Sequence, residues 1–433
     1  MNNGQYEYLN IIPSNIPPND IISFNSMPLI NFNIGAQERL LIGSSLKLTG
    51  EFIVKRSTGV NLEVGDKSAI DPTLGIMSCF EQLNISSKKS NQTIEEIRHY
   101  NRFLSSYFKA YQSADELSSC EQLTSIKTNT LNESNSLLTK NPDKQIPFSC
   151  SLPSGFFLSQ DDPSEGKYGI PLSSNYGVGG ILIQLLLTPS SNVIFAFDGG
   201  ALPAAEAAAI YEIKNLRLKA TVQRPLPEIQ AAIMRNPNLI FNSISSHNTS
   251  ITSSYGTLNF NLGLQNVLSA FVTFVKAANI NSYKHGLANN GIQNNAGGNE
   301  NIVNVQWLKN NMLYPNQFEL SSHDQNDFYD PLIIRQFLNS INAIRHTRRQ
   351  NSYNEINLRK NYEGIINGDF SGYAMGIGIN YDLYSNVGTN FSTEQLGLII
   401  ESSLTDGTSN QCFLFVCSRQ MLQMSQQGVS LIK

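Results

Sequence analysis

The sequence predicts an all-β chain with minor helices, folded as two consecutive antiparallel β-sandwiches, and three observations carry that prediction. Apolar residues recur at a period near two through most of the chain, and only two long segments show the three- and four-residue spacing of a helix. The order strand, strand, helix, loop, several strands also occurs twice, once on each side of a proline-bracketed segment. With 433 residues there is room for two sandwiches. A unit of that size hides roughly 70% of its unfolded surface and needs no disulfide or metal staple.

Residues 1–33 carry Pro13, Pro17, Pro18 and Pro28 among isolated apolar residues, a pattern that predicts an extended N-terminal arm. Leu40, Ile42, Leu46, Leu48, Phe52 and Val54 then predict a long half-buried strand ending at the Ser57-Thr58-Gly59 turn, with a second strand over 74–85. Ile94, Ile97, Leu104, Phe108 and Tyr111, at steps of three and four or their sums, predict a helix capped by Asn91 or Thr93. The polar stretch 112–144 is expected to be a surface loop. Strands follow at 146–152, 155–158, 180–187, 192–197 and 211–222, closing a first sandwich over 34–224. Of these, 180–187 is a continuous apolar run between turns, the mark of a core strand.

Pro225, Pro227 and Pro237 bracket a short amphipathic stretch containing Ile229 and Ile233, which makes 225–238 the linker. The second sandwich, with a C-terminal tail, occupies 239–433. Its expected strands are 239–253, 256–264, 267–275, 303–308 and 318–320, then 372–381, 396–402 and 412–418. Between the two groups lies a helix with Asp330 as cap, Pro331 in the first position, and Ile334, Phe337, Ile341 and Ile344 along one face. A short echo of Met77-Ser78-Cys79-Phe80 in Leu268-Ser269-Ala270-Phe271 adds to the case for duplication.

Charged residues are 15% of the chain, against roughly 25% in an average globular protein, and Asn, Ser, Gln and Thr fill the difference. Amides and hydroxyls can be re-paired across a contact at lower desolvation cost than charges, so this composition suits a surface covered by neighbours. A formal charge of -4 excludes whole-molecule attraction to nucleic acid, leaving only local contact. Cys79, Cys120, Cys150, Cys412 and Cys417 are odd in number and have no metal-like spacing; they are expected to be buried thiols in a reducing compartment, without disulfides. The first twenty residues lack the basic and apolar regions of a signal peptide. The longest apolar stretch, 178–187, is about half the ~20 residues that span a bilayer.

In pattern the chain resembles the double jelly-roll major capsid proteins of virophages and polinton-like viruses. The resemblance covers about 27–420 and rests on five segments: 74–85, followed by Asn91-Gln92-Thr93-Ile94-Glu95-Glu96-Ile97 and a tyrosine-rich helix; Tyr211-Glu212-Ile213-Lys214-Asn215-Leu216-Arg217-Leu218 closing the first unit; and the Ser/Thr-rich entry 243–264 opening the second. It implies two consecutive eight-stranded antiparallel jelly rolls and a homotrimeric capsomer of pseudo-sixfold outline, tiling an icosahedral shell beside neighbouring capsomers and penton or minor capsid proteins. The product would be a structural component of the virion, made in the host cytoplasm or a virus factory. A two-sandwich carbohydrate-binding or adhesin-like protein and a minor vertex protein are the alternatives. Vertex proteins are typically single jelly rolls, and the one tryptophan, Trp307, sits in a core-like strand where a lectin would display it.

No catalytic, cofactor or metal constellation is expected. His99, His247, His285, His323 and His346 are scattered, and His323-Asp324 with Asp327 more simply forms a loop before the second helix than a metal site. Glu95 and Glu96, about 100° apart on a helix, could not face one substrate. Asp161-Asp162-Pro163 has the form of a turn, and Gly177-Val178-Gly179-Gly180 opens a strand where phosphate binding would need a helix. Gly376-Ile377-Gly378 lies within a strand and is expected to permit a bulge or close packing. One basic cluster stands out, Arg345, His346, Arg348 and Arg349 at the end of the second helix, either as favourable charge at a helix C-terminus and an intersubunit pair or as a weak contact with packaged genome.

Overall fold

The computed structural model describes residues 6–72, 74–111, 126–128, 131–140, 145–160, 168–198, 200–277, 280–281, 302–314, 319–321, 331–344, 376–382, 388–402 and 410–433. Among the described residues, eight longer strands build the first sandwich, with short two-residue strands beside them: β1 (Tyr6–Ile11), β2 (Leu29–Ile34), β3 (Leu40–Lys55), β4 (Phe80–Ser87), β5 (Thr93–Arg98), β6 (Ile146–Ser151), β7 (Ile181–Leu187) and β8 (Ile210–Gln223). They form two antiparallel sheets in the orders β1-β8-β3-β6 and β2-β7-β4-β5.

The second sandwich repeats the plan with β9 (Asn238–Ile251), β10 (Tyr255–Phe260), β11 (Leu264–Lys276), β12 (Ile302–Lys309), β13, β14 (Ile377–Asn380), β15 (Leu396–Ser402) and β16 (Asn410–Met424). Here β13 is one broken strand, Met312–Leu313 and Glu319–Ser321, both pieces paired with β12. The sheets run β9-β16-β11-β14 and β10-β15-β12-β13, so each strand of the second sandwich holds the place of the strand eight earlier in the first.

Side-chain periodicity explains the core. In β7, Ile181, Ile183, Leu185 and Leu187 point inward and are fully buried, while Leu182, Gln184 and Leu186 are only partly covered. On that outer face, amides of Asn31, Gln184 and Asn84 hydrogen-bond across β2, β7 and β4 at 3.0 Å each, which covers the sheet without charge. β8 alternates on either side of a bulge at Asn215, burying Tyr211 and Ile213 before it and Leu216, Leu218, Ala220 and Val222 after it.

Several expectations are corrected. Residues 6–33 are no free arm: β1 pairs with β8 over six residues and β2 with β7. The prolines there stand between strands, where no ladder hydrogen bond is lost. The first helix is α1 (Tyr100–Tyr111), starting later than predicted, because Ile94 and Ile97 belong to β5. A bulge opposite the Ile85/Ser86 step gives them a helix-like spacing of three. Residues 75–79 form a 3-10 helix ahead of β4, so Met77-Ser78-Cys79-Phe80 and Leu268-Ser269-Ala270-Phe271, the latter inside β11, are not equivalent.

The polar segment 112–144 contains α2 (Leu131–Thr139), which packs Leu138 into the core. Residues 155–158 are a single helical turn, α3 (Gly155–Leu158), whose Ser154 hydroxyl accepts from Phe157 N at 3.1 Å. Another short turn, α4 (Ser190–Val193), precedes β8. The linker carries α5 (Pro227–Arg235), an exposed helix whose Ile229 and Ile233 border a cleft of about 500 Å³ with Leu40, Leu239 and Met424. The tail strand Val429–Ile432 pairs with β16.

The second long helix is α6 (Pro331–Asn342), with Phe337, Ile341 and Ile344 buried as its spacing predicts. It lies against β14 through a glycine. A Cβ at Gly378 would stand 2.1 Å from Ser340 Oγ and 2.9 Å from Phe337 Cα, which accounts for Gly376-Ile377-Gly378 as close packing. Gly378→Ala is therefore expected to destabilise the chain by about 1–3 kcal/mol through overpacking. Urea denaturation checks it, and Ser340→Ala in the same chain should recover part of the loss.

Candidate assembly interface

The two sandwiches meet along a packed junction, and its first component is aromatic. Phe103 of α1 is fully buried, with ring centroids 5.6 Å from Tyr107 and 6.2 Å from Tyr100 on its own side. Across the junction it lies 6.4 Å from Phe271 of β11 and 5.8 Å from Phe415 of β16. Arg102, also fully buried, holds its guanidinium 4.7 Å from the centre of the Phe413 ring and donates to Ile280 O. His99 packs edge-on to the same ring at 4.8 Å, and burial pushes its imidazole down to about 4, so it stays neutral at pH 7.

The second component is a capped strand edge. β9 is the outermost strand of its sheet, and its free side faces the first sandwich. Gln160 Nε2 donates to Ile240 O at 2.7 Å, Asn242 N to Ser159 Oγ at 3.0 Å, Ile244 N to Glu95 Oε1 at 2.6 Å, and Arg98 N to Ser246 Oγ at 2.9 Å. Side chains of the first roll thus close the β9 backbone at residues 240, 242 and 244, where a further strand would otherwise pair, while the Ser246 hydroxyl of β9 accepts from the backbone of Arg98.

Glu95 is the centre of that seam. Its carboxylate is 2% exposed and also accepts from Gly155 N and Phe156 N, each at 3.1 Å. Burial raises its pKa to about 7, opposed by these hydrogen bonds and by the Ser154 hydroxyl. Gly155 has to be glycine here, since a Cβ would lie 2.7 Å from Asn242 O and 3.0 Å from Glu95 Oε1. The neighbouring carboxylate of Glu96 points the other way, toward Arg98 Nε at 2.8 Å and Gln82 Nε2 at 2.8 Å. Strand alternation, not the 100° step of a helix, separates the pair.

No family model matches the chain, and no curated protein matches its sequence. Among solved structures, the Faustovirus major capsid protein superposes with a TM-score of 0.57 at 11% identity, over 97% of this chain and 90% of that one. A chain of the PBCV-1 virus capsid gives 0.56 at 11% identity, over 100% and 97%. A chain of the Sputnik virophage gives 0.55 at 10% identity, over 100% and 89%. The fold is the double jelly roll of such capsid proteins.

Within this double jelly roll, the edges are managed unequally. β2, on the edge of the first roll's second sheet, is closed by Ser14 and Asn15: Ser14 N donates to Asn31 O at 2.8 Å, Asn15 Nδ2 to Leu29 O at 2.6 Å, and Asn31 N to Asn15 Oδ1 at 3.0 Å. By contrast β1, the counterpart of β9, has Tyr6 57% and Tyr8 83% exposed.

The basic cluster Arg345, His346, Arg348 and Arg349, and His323, Asp324 and Asp327, lie outside the described residues. Among the described residues, no group of three or more His, Cys, Asp or Glu side chains is placed to hold a metal, and no helix is long and apolar enough to cross a membrane. Cys79, Cys150, Cys412 and Cys417 are buried thiols, and burial raises the pKa values of Cys79, Cys412 and Cys417. Cys412 and Cys417 are on one strand, about 16 Å apart by strand rise and on opposite faces, too far for a bond between them. Trp307 is 1% exposed in β12, as its strand context predicts. The residues that build the junction, Glu95, Phe103, Ser159 and Gln160, were not legible as a site. Their partners are 60 to 149 residues away for Glu95 and 83 away for Ser159.

Proposed function

We propose that the protein is a structural major capsid protein, three copies of which form a pseudo-hexameric capsomer that tiles an icosahedral shell in the virion. One observation carries this reading: a single chain holds two rolls with the same eight-strand order, locked edge to face, so a threefold ring of chains presents six similar units. The low charge content supports a surface meant for neighbours. The work of such a protein is geometric, with no reaction assigned to it. Penton or minor capsid proteins would fill positions the trimer cannot, and the basic cluster at 345–349 would meet genome or an adjacent subunit. The buried Trp307 weakens a carbohydrate-binding reading, and two rolls in one chain favour the major over the vertex protein.

Sedimentation and negative-stain imaging of the purified full chain test the proposal. The expected result is a trimer with a six-sided outline whose interfaces bury several thousand Å² in total, in the range of obligate assemblies of roughly 2,000–5,000 Å². A stable monomer at micromolar concentration would overturn it.

A further inference from the structure

Inside one chain, the first roll docks on the second through a hairpin, the turn it lands on and a capped strand edge, and these three have counterparts left open. The β4–β5 hairpin of the first roll lands on the turn that follows β16: Lys89 Nζ donates to Ser425 O at 2.6 Å and Ser90 Oγ to Val429 O at 3.3 Å. The same roll caps the edge of β9 through Glu95, Ser159 and Gln160.

The counterparts follow from the matched strand orders. The hairpin of the second roll equivalent to β4–β5 is β12–β13, which turns through Asn310 and Asn311, both left-handed at φ 49° and 64°. It leaves Met312 69% and Leu313 37% exposed. The segment of the first roll equivalent to the turn after β16 is the one after β8, where Leu226 is 42% exposed. The edge equivalent to β9 is β1, and Tyr6 at its start pairs with Gln223, so Tyr6 and Leu226 sit at the same end of the roll. Among the described residues, no hydrogen bond caps the outer side of β1. The chain thus presents a counterpart of the docking hairpin on the second roll and of its landing site on the first; where the internal contact is polar, these two surfaces carry exposed apolar residues.

We infer that Met312 and Leu313 of one copy dock on Leu226 and Tyr6 of the next copy, repeating between subunits the contact that the two rolls make within one. This rests on the capsomer reading and specifies its subunit interface. The contact is heterologous, hairpin to strand end, so it closes only as a ring. Rolls then alternate first, second, first, second around six positions, with three junctions inside chains and three between them. A second copy is the occupant because the two open surfaces correspond to the two sides of the internal junction, and no other partner would need both.

The test uses the full chain. With Met312→Cys and Leu226→Cys in one chain, a short bis-maleimide is expected to give covalent dimers and trimers on a denaturing gel and nothing larger, whereas either cysteine alone gives neither. Met312→Glu is expected to weaken trimer formation at least tenfold with an unchanged circular dichroism melt. Val64→Glu, which alters an equally exposed apolar residue (78%) at the opposite end of the roll, should leave the trimer intact. A wild-type trimer that neither crosslinks through the paired cysteines nor responds to Met312→Glu overturns this docking and leaves the capsomer reading standing. A wild-type chain that sediments as a monomer overturns both.

Discussion

Phe103→Ala is expected to lower the stability of the chain by about 3–5 kcal/mol and to split its single unfolding transition in two. The first part follows from size: a fully buried aromatic ring is replaced by a methyl group, and the cavity is lined by rings that cannot all collapse into it. The second follows from position. Phe103 belongs to the first roll but lies between Tyr100 and Tyr107 on one side and Phe271 and Phe415 on the other, so it joins two cores that otherwise have their own sheets. Buried residues of both rolls form one continuous cluster to which Phe103 contributes, and that continuity is expected to make their unfolding cooperative. Phe32→Ala is the control. Phe32 is as completely buried, on β2 inside the first roll, so its loss should cost a similar amount while leaving one transition. Two variants with equal loss and identical single transitions would show that Phe103 is not what couples the rolls.

Much of the fold was legible because it is written in local pattern. The alternation in β7 and β8, the proline bracket around 225–238 and the Pro331 start of α6 each specify an element from a few adjacent residues. The misreadings came where local pattern is ambiguous. Pro13, Pro17, Pro18 and Pro28 looked like a reason to deny strands, yet they only punctuate the turns around β1 and β2. Ile94 and Ile97 have helical spacing because a bulge shifts the phase of β5. Gly155-Phe156-Phe157-Leu158 has strand composition, but Ser154 caps it into a turn. The junction was the least legible part. Nothing near Glu95 in sequence distinguishes it from its half-buried neighbour Glu96, since its partners come from α3 and β9, brought together only by the completed fold.

That carboxylate also sets how stability should respond to pH. Glu95→Ala leaves Gly155 N, Phe156 N and Ile244 N without their acceptor, and a buried donor left unpaired costs about 1–3 kcal/mol. A polar cleft of about 450 Å³ beside Glu95 lets water replace part of the loss, so a net destabilisation of about 3 kcal/mol is expected for the three donors together. The titration has the opposite sign to that of a surface carboxylate held by a cation. Burial raises the folded-state pKa from 4.5 to about 7, so between those values the folded chain keeps a proton that the unfolded chain has released. The resulting stability is fully present below pH 4.5, is lost as pH rises through 7, and is level above that; its full size is up to roughly 3 kcal/mol at 1.36 kcal/mol per pH unit. The titratable neighbours Tyr100 and Cys417 are held neutral by burial across this window and add no slope of their own. Glu95→Gln cannot titrate, and other groups cancel when the two proteins are compared. Urea midpoints measured from pH 4.5 to 8 should therefore fall for the wild type relative to Glu95→Gln. Parallel curves would mean that the hydrogen bonds from β9 and α3 outweigh burial and keep the carboxylate ionised throughout, which would make the seam between the rolls insensitive to acid.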